Sequence, residues 1–196
     1  MRETKSILLV GVGGQGTILA SKILSDGLVE AGYDVKMSEI HGMSQRGGSV
    51  STQVRYGDKV YSPVIGKGQA DILVSFEAME ALRYLEYLKP EGRVVVNDYK
   101  IPSAPILMAK ADYPEDVIGT IKKKAKTHVL DAAKIAMELG NIKAMNIVLL
   151  GALVKAMGLT DIDWEEAIRN NVKDKFVDIN IKAFHAGMDA VELAEA

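Results

Sequence analysis

The chain has 196 residues, no cysteine and a formal net charge of −2, enough for one α/β domain, residues 1–196, whose core supports independent folding. Without cysteine there can be no disulfide, no thiol nucleophile and none of the usual ligands of an iron–sulfur cluster. The near-neutral charge gives no reason to expect nucleic acid or an acidic membrane as partner.

No apolar run approaches the ~20 residues that a membrane-spanning helix needs. The charged start Met1-Arg2-Glu3-Thr4-Lys5 runs straight into an apolar stretch with no small-residue cleavage site. The expectation is therefore a cytoplasmic protein without a secretory leader. His41, His128 and His185 lie far apart and show no metal-ligand spacing.

Ser6-Ile7-Leu8-Leu9-Val10 reads as a first strand, and Gly11-Val12-Gly13-Gly14-Gln15-Gly16 as the turn that follows it. Ala20, Ile23, Leu24, Gly27, Leu28 and Ala31 then recur at helical steps. Ala31-Gly32 ends that helix, and Asp34 to Glu39 reads as a second strand completing a βαβ start. Ile40 to Gly48 is polar and glycine-rich, hence a loop. Ser49 to Tyr56 alternates and, with Lys59-Val60-Tyr61 beyond Gly57-Asp58, predicts an antiparallel hairpin inserted in a parallel plan.

Ala70 to Ser75 reads as a buried strand, and Ala78, Ala81, Leu82, Leu85 and Leu88 as a helix stopped by Lys89-Pro90-Glu91-Gly92. Arg93 to Asn97 is a strand of the continuous β-branched kind found inside parallel sheets. Ile101 to Pro105 is a loop, Pro114 to Lys124 a helix and Lys126 to Leu130 a strand. Helices follow around Ile135 to Leu139 and Met145 to Ala156, then one capped by Thr160 or Asp161, and a last one over Asp178 to Ala196. Strands alternating with helices predict a doubly wound, Rossmann-like, mostly parallel sheet, with the inserted β-hairpin and a helical C-terminal portion.

Gly11, Gly13 and Gly16 have the spacing of a dinucleotide-binding turn: one glycine for the bend, one for backbone approach to an anion, one for helix–strand packing. A turn of this kind also serves proteins that bind nothing there. Glu39 stands about where the acidic ribose contact of such folds would be, at the mouth of a polar loop. That loop, with His41, Ser44, Gln45, Arg46, Gly47 and Gly48, sets a fixed cation beside backbone able to turn N–H groups toward an anion. In open α/β sheets, loops at the carboxyl ends of strands form the ligand crevice, and both stretches belong there. A solvated turn or a docking loop is the plainer alternative for this stretch.

Lys122-Lys123-Lys124 reads as a solvated helix end. Met37, Met43, Met79, Met108, Met137, Met145, Met157 and Met188 read as core filling. Asn170-Asn171 lacks the Gly-Asp-Gly upstream that a thiamine-diphosphate magnesium site would need, and His128 and His185 read as structural. No set of nucleophile, base and oxyanion donors can be assembled. Such an absence points to a binding module, or to a subunit whose chemistry is on another chain.

Gly11-Val-Gly-Gly-Gln-Gly-Thr17 together with His41-Gly-Met-Ser-Gln-Arg-Gly-Gly48 resembles the gamma-type subunit of 2-oxoacid:ferredoxin oxidoreductases. The form of the second motif is most similar to the small (beta) subunit of the indolepyruvate branch. The similarity runs from about Ile7 to the helical C-terminus. It implies a heteromeric complex that decarboxylates a 2-oxo acid oxidatively, passes electrons to ferredoxin and transfers the acyl group to coenzyme A. Thiamine diphosphate, magnesium and iron–sulfur clusters would be held by a larger alpha-type partner subunit, and none by this chain. The glycine turn and the Arg46 loop would lie at the edge of the crevice, where Arg46 orients the partner or holds an anionic group. A homodimer is the form open to the isolated chain. Two alternatives stay open from the residues: a free-standing NAD(P)- or FAD-binding protein, and a non-catalytic docking scaffold.

Overall fold

A computed structural model describes residues 3–41 and 47–192, with the backbone alone for His41. Strand β1 (Lys5–Val12) leads through the glycine turn into helix α1 (Thr17–Glu30), followed by β2 (Asp34–His41) and β3 (Ser49–Gly57). Then come β4 (Ala70–Ser75), α2 (Ala78–Tyr84) with a 3-10 turn, β5 (Leu88–Asn97), α3 (Ala104–Leu107), α4 (Val117–Lys122) and β6 (Lys126–Leu130). The C-terminal part is helical, with α5 (Ala132–Glu138), α6 (Met145–Met157), α7 (Trp164–Asn171) and α8 (Val177–Asp189).

The strands form one sheet in the order β2-β3-β1-β4-β5-β6. Strands β1, β4, β5 and β6 pair in parallel. Strand β3 runs antiparallel to both neighbours, in unbroken register from Val12↔Ser49 to Lys5↔Tyr56 on one side and from His41↔Val50 to Asp34↔Gly57 on the other. Alternate side chains split the core. Ile7, Leu9, Val54, Ile72 and Val74 pack under α1, α5, α6, α7 and α8, whereas Leu8, Val10, Leu73, Val94 and Val96 pack under α2 and α4. Helices α6 and α8 cross in backbone contact: a Cβ on Gly187 would lie 1.9 Å from Val148 O, and one on Gly151 2.0 Å from Phe184 O.

The doubly wound sheet, the antiparallel insertion and the helical C-terminal part are as the sequence predicts, but several details differ. The hairpin is β2–β3, with the polar stretch as its connection, and Lys59-Val60-Tyr61 is not a strand. Both edges of β3 are already taken by β1 and β2, so those residues have no ladder to join. Instead Val60 is tied by its N–H to Asp34 Oδ2 at 2.8 Å. The βαβ start is also interrupted, because β3 lies between β1 and β2.

Helix α7 starts later than expected, at an Asp163 cap whose carboxylate accepts from Glu166 N at 3.0 Å. Helix α4 spans less than Pro114 to Lys124, because Asp116, left-handed at φ 44, caps it. A short helix stands in the predicted loop after Ile101, and the last helix stops at Asp189, with residues 193–196 outside the described part. Met37, Met108 and Met137 are exposed rather than core residues, and Met43 lies outside the described residues.

Candidate functional site

Helix α1 follows β1 on one face of the sheet and α2 follows β4 on the other, so the neighbouring strands β1 and β4 form the switch point where such sheets open a crevice. The glycine turn stands on one side of it and Phe76-Glu77 on the other. Gly11 is pressed into this gap: a Cβ there would lie 2.8 Å from Gln15 Oε1 and 2.9 Å from Phe76 Cβ. Gly16 caps α1 with φ 79, and a Cβ there would meet Asn146 Nδ2 at 2.7 Å. Gly14, at φ 100, makes the bend between them.

Gln15 closes the gap. Its Oε1 accepts from Val12 N at 2.8 Å and its Nε2 donates to Phe76 O at 2.7 Å. Its side chain is a bridge between two strand ends, not a group free for a ligand. Gly13 N donates to Gly48 O at 2.9 Å. The turn and the polar stretch, far apart in sequence, therefore meet at the carboxyl end of β1, as the α/β rule leads one to expect.

These contacts count against the nicotinamide reading of the turn. The Gly13 N–H that a pyrophosphate would need is occupied by Gly48. Glu39 pairs with Thr52, which pairs with Leu9, so it lies two strands from β1, about 10 Å at ordinary strand spacing. A ribose held at the glycine turn would be out of its reach.

Of the polar stretch, His41 ends β2, Gly47 has φ 76, and Gly47 and Gly48 lead into β3. Ser44, Gln45 and Arg46 lie outside the described residues. Beyond the stretch, Ser49 Oγ donates to Glu80 Oε2 at 2.5 Å. Two carboxylates that belong to no sequence motif are buried at this end of the sheet, Glu77 at 0% and Glu80 at 3% exposure.

Glu77 caps α2 by accepting from Glu80 N at 2.9 Å, and its other oxygen accepts from Ile101 N at 3.2 Å and Tyr113 OH at 2.6 Å. Burial, reinforced by that bond to a carboxylate, holds the Tyr113 phenol far above its ordinary range. Among the described residues these contacts of Glu77 are structural. It ties the segment after β5 to the start of α2.

Beside the turn, Asn146 Nδ2 donates to Gly16 O at 3.1 Å. Asn146 also lines a cavity of 310 Å³ walled by α1, the turn before α6, and the α7–α8 junction. Its lining joins Leu19, Val172 and Phe176 to the amides of Asn141, Asn146, Asn171 and Asn180 and to Lys143 and Lys173, with no carboxylate among the described residues. Asn171 Nδ2 is bonded to Asp26 Oδ2 at 2.8 Å, yet its buried Oδ1 has no partner among the described residues. An apolar wall edged by two cations suits an anionic organic molecule. In the sequence Asn171 stands out only beside a metal-site motif that it does not complete. The available signal was asparagine, a poor helix former, recurring where helices start and stop.

Among the described residues no group of three or more His, Asp or Glu side chains is placed to hold a metal ion, and none of the described helices is long and apolar enough to cross a membrane. His128 lies on the edge strand β6, and His185 bonds Glu165 at 2.8 Å.

Residues 6–190 match the family described as pyruvate ferredoxin/flavodoxin oxidoreductase. The indolepyruvate oxidoreductase subunit IorB of Pyrococcus horikoshii is 42% identical over 193 residues, 95% of this chain and 96% of that protein. The common gamma subunit of the pyruvate/ketoisovalerate oxidoreductases of Pyrococcus furiosus is 29% identical over 189 residues, 94% of this chain and 96% of that one. Among solved structures, the gamma subunit of the keto/oxoacid ferredoxin oxidoreductase of Geobacter sulfurreducens superposes with a TM-score of 0.70 at 26% identity, covering 95% of this chain and 97% of its own. A glycine turn bridged by its own glutamine, a polar loop bonded to it and a helical C-terminal part are carried by a chain that belongs to the pyruvate ferredoxin/flavodoxin oxidoreductase family.

Proposed function

We propose that this chain, a single domain in the cytoplasm, is the small subunit of an aryl-pyruvate:ferredoxin oxidoreductase, and that its part in the site is to hold coenzyme A. The reaction removes carbon dioxide from the 2-oxo acid, joins the remaining acyl group to the coenzyme A sulfur, and passes the electrons singly to ferredoxin. Thiamine diphosphate, magnesium and iron–sulfur clusters on a larger partner subunit supply the decarboxylation and the electron path. This chain has no cysteine for a cluster, so no step is assigned to its residues through those groups.

The observation that carries the proposal is the cavity edged by Lys143 and Lys173 and walled by Leu19, Val172 and Phe176. Phe176 brings to the same wall a ring on which a purine can stack. The two ammonium groups suit phosphate. Arg46, from the loop bonded to the neighbouring glycine turn, contributes a further cation for the anionic part of the ligand. The apolar side chains Ile18 and Leu107, exposed at 51% and 74% near the carboxyl end of the sheet, suit the face turned to the partner.

The test is co-expression with the larger subunit and steady-state kinetics with aryl pyruvate, coenzyme A and ferredoxin. Lys143→Ala with Lys173→Ala raises KM for coenzyme A about tenfold, some 1.4 kcal/mol of lost interaction, and leaves KM for the 2-oxo acid unchanged. An unchanged KM for coenzyme A refutes the assignment of the cavity.

A further inference from the structure

We infer that the chain carries a further ligand site, for an aliphatic carboxylate, in the cavity between α2, the start of β5 and the end of α4. The cavity measures 490 Å³, within the range of small-molecule sites. Leu88, which lines it, begins β5 and pairs with Ala70 at the start of β4. It therefore lies at the amino end of the parallel strands, opposite the glycine turn. Leu82, Leu85 and Leu88 form its floor, partly buried against the core on the α2 face. Its described rim is charged, with Arg83, Lys89 and Lys124 against one carboxylate, Glu86.

The bonds these charges already make decide what the cavity can take. Lys89 Nζ is held at 2.8 Å by Asp71, a largely buried carboxylate that also accepts from Ser6 N. Glu86 is paired with Lys67 at 2.9 Å. Arg83 is fixed through Nε to the buried Glu80 at 3.1 Å, which leaves its two terminal amino groups without a partner among the described residues. Lys124, one of three lysines that read as a solvated helix end, has no side-chain partner among them either. Lys89, Glu86 and Arg83 thus each have an opposite charge beside them, and Lys124 is uncompensated. A single negative charge balances it. A planar carboxylate also matches the fork that Arg83 presents. The floor is aliphatic, with no ring among its described residues on which a base could stack. The body of the ligand is accordingly a hydrocarbon chain rather than a nucleotide.

The test is isothermal titration calorimetry of the full chain with hexanoate. A ligand of this size at ordinary ligand efficiency binds with a Kd on the order of 1 mM. Saturable binding of one hexanoate per chain is expected. Hexanamide keeps the hydrocarbon chain but not the charge, and acetate the charge but not the chain; each binds at least tenfold more weakly. Lys124→Gln weakens hexanoate at least fivefold and leaves Tm unchanged, because the side chain is exposed and unpaired among the described residues. Lys124→Arg, which keeps the charge, binds within twofold of the unaltered chain.

The cavity proposed for coenzyme A is also edged by cations, so Lys143→Ala with Lys173→Ala serves as the control, and its affinity for hexanoate is unchanged. Binding lost in that variant and kept in Lys124→Gln puts the carboxylate in the other cavity and overturns the inference. So does a loss smaller than fivefold in Lys124→Gln, hexanamide binding as tightly as hexanoate, or no saturable binding at all. None of these results touches the KM for coenzyme A, on which the proposed function is tested.

Discussion

Removing the Gln15 side chain opens the switch point, and the cost follows from the contacts it makes. In Gln15→Ala the Val12 N–H loses its acceptor at 2.8 Å, and Val12 is buried at 6% exposure. Phe76 O loses one donor but keeps Asn97 Nδ2 at 3.2 Å. The dominant loss is therefore one orphaned backbone donor, about 2 kcal/mol. For a chain of this size that amounts to a fall of about 4–8 °C in Tm.

Urea unfolding followed by far-UV circular dichroism measures it, with a lower midpoint and an unchanged m-value expected. Gln15→Glu sharpens the reasoning. An ionised carboxylate still accepts from Val12 N but faces Phe76 O with no proton to donate. Its folded pKa is raised, so its deficit relative to the unaltered chain is largest near neutral pH and shrinks toward pH ~4.5, as it gains the proton. A Gln15→Ala variant within about 0.5 kcal/mol of the unaltered chain, the ordinary scatter of surface substitutions, refutes the bridge.

Arg46→Ala lowers turnover or assembly of the reconstituted complex at least tenfold, about 1.4 kcal/mol; unchanged kinetics and unchanged assembly contradict the loop's role. Gly187→Ala forces α6 and α8 apart, since the new Cβ meets backbone 1.9 Å away; a loss of more than about 3 kcal/mol in chemical unfolding is expected. Burial first, and the Arg93 guanidinium second, hold His128 below its ordinary pKa of 6.5. As pH falls through that value the unfolded chain takes a proton the folded chain resists, so stability is lost down to the lower folded value. His128→Asn removes this component, which Tm measured at several pH values detects as a shallower decline.

Much of this arrangement is legible along the chain wherever the determining interactions are local. Strands Ala70–Ser75 and Lys126–Leu130 are bounded as their residues suggest, because short apolar runs between turns have few alternatives. The meeting of the glycine turn with the polar stretch also follows from the sequence, since both leave strand ends at the same edge of an α/β sheet. The place of β3 does not: inserting it between β1 and β2 is a choice among long-range pairings that no local residue encodes.

For the same reason Glu39 resembles a ribose contact until the intervening strand separates it from the turn. Glu77 and Glu80 belong to no motif along the chain, and only the tertiary approach of Ser49, Ile101 and Tyr113 shows why they are buried. The cavity draws on residues from Leu19 to Asn180. Spread so widely, its amides leave no motif to recognise.

On the proposed function, this chain brings coenzyme A to a catalytic centre carried by another polypeptide. Its most direct test is equilibrium binding of coenzyme A to the purified complex of both subunits and to the same complex carrying Lys143→Ala and Lys173→Ala. Saturable binding to the first and at least tenfold weaker binding to the second, about 1.4 kcal/mol, are expected. Equal affinity in the two preparations would contradict it.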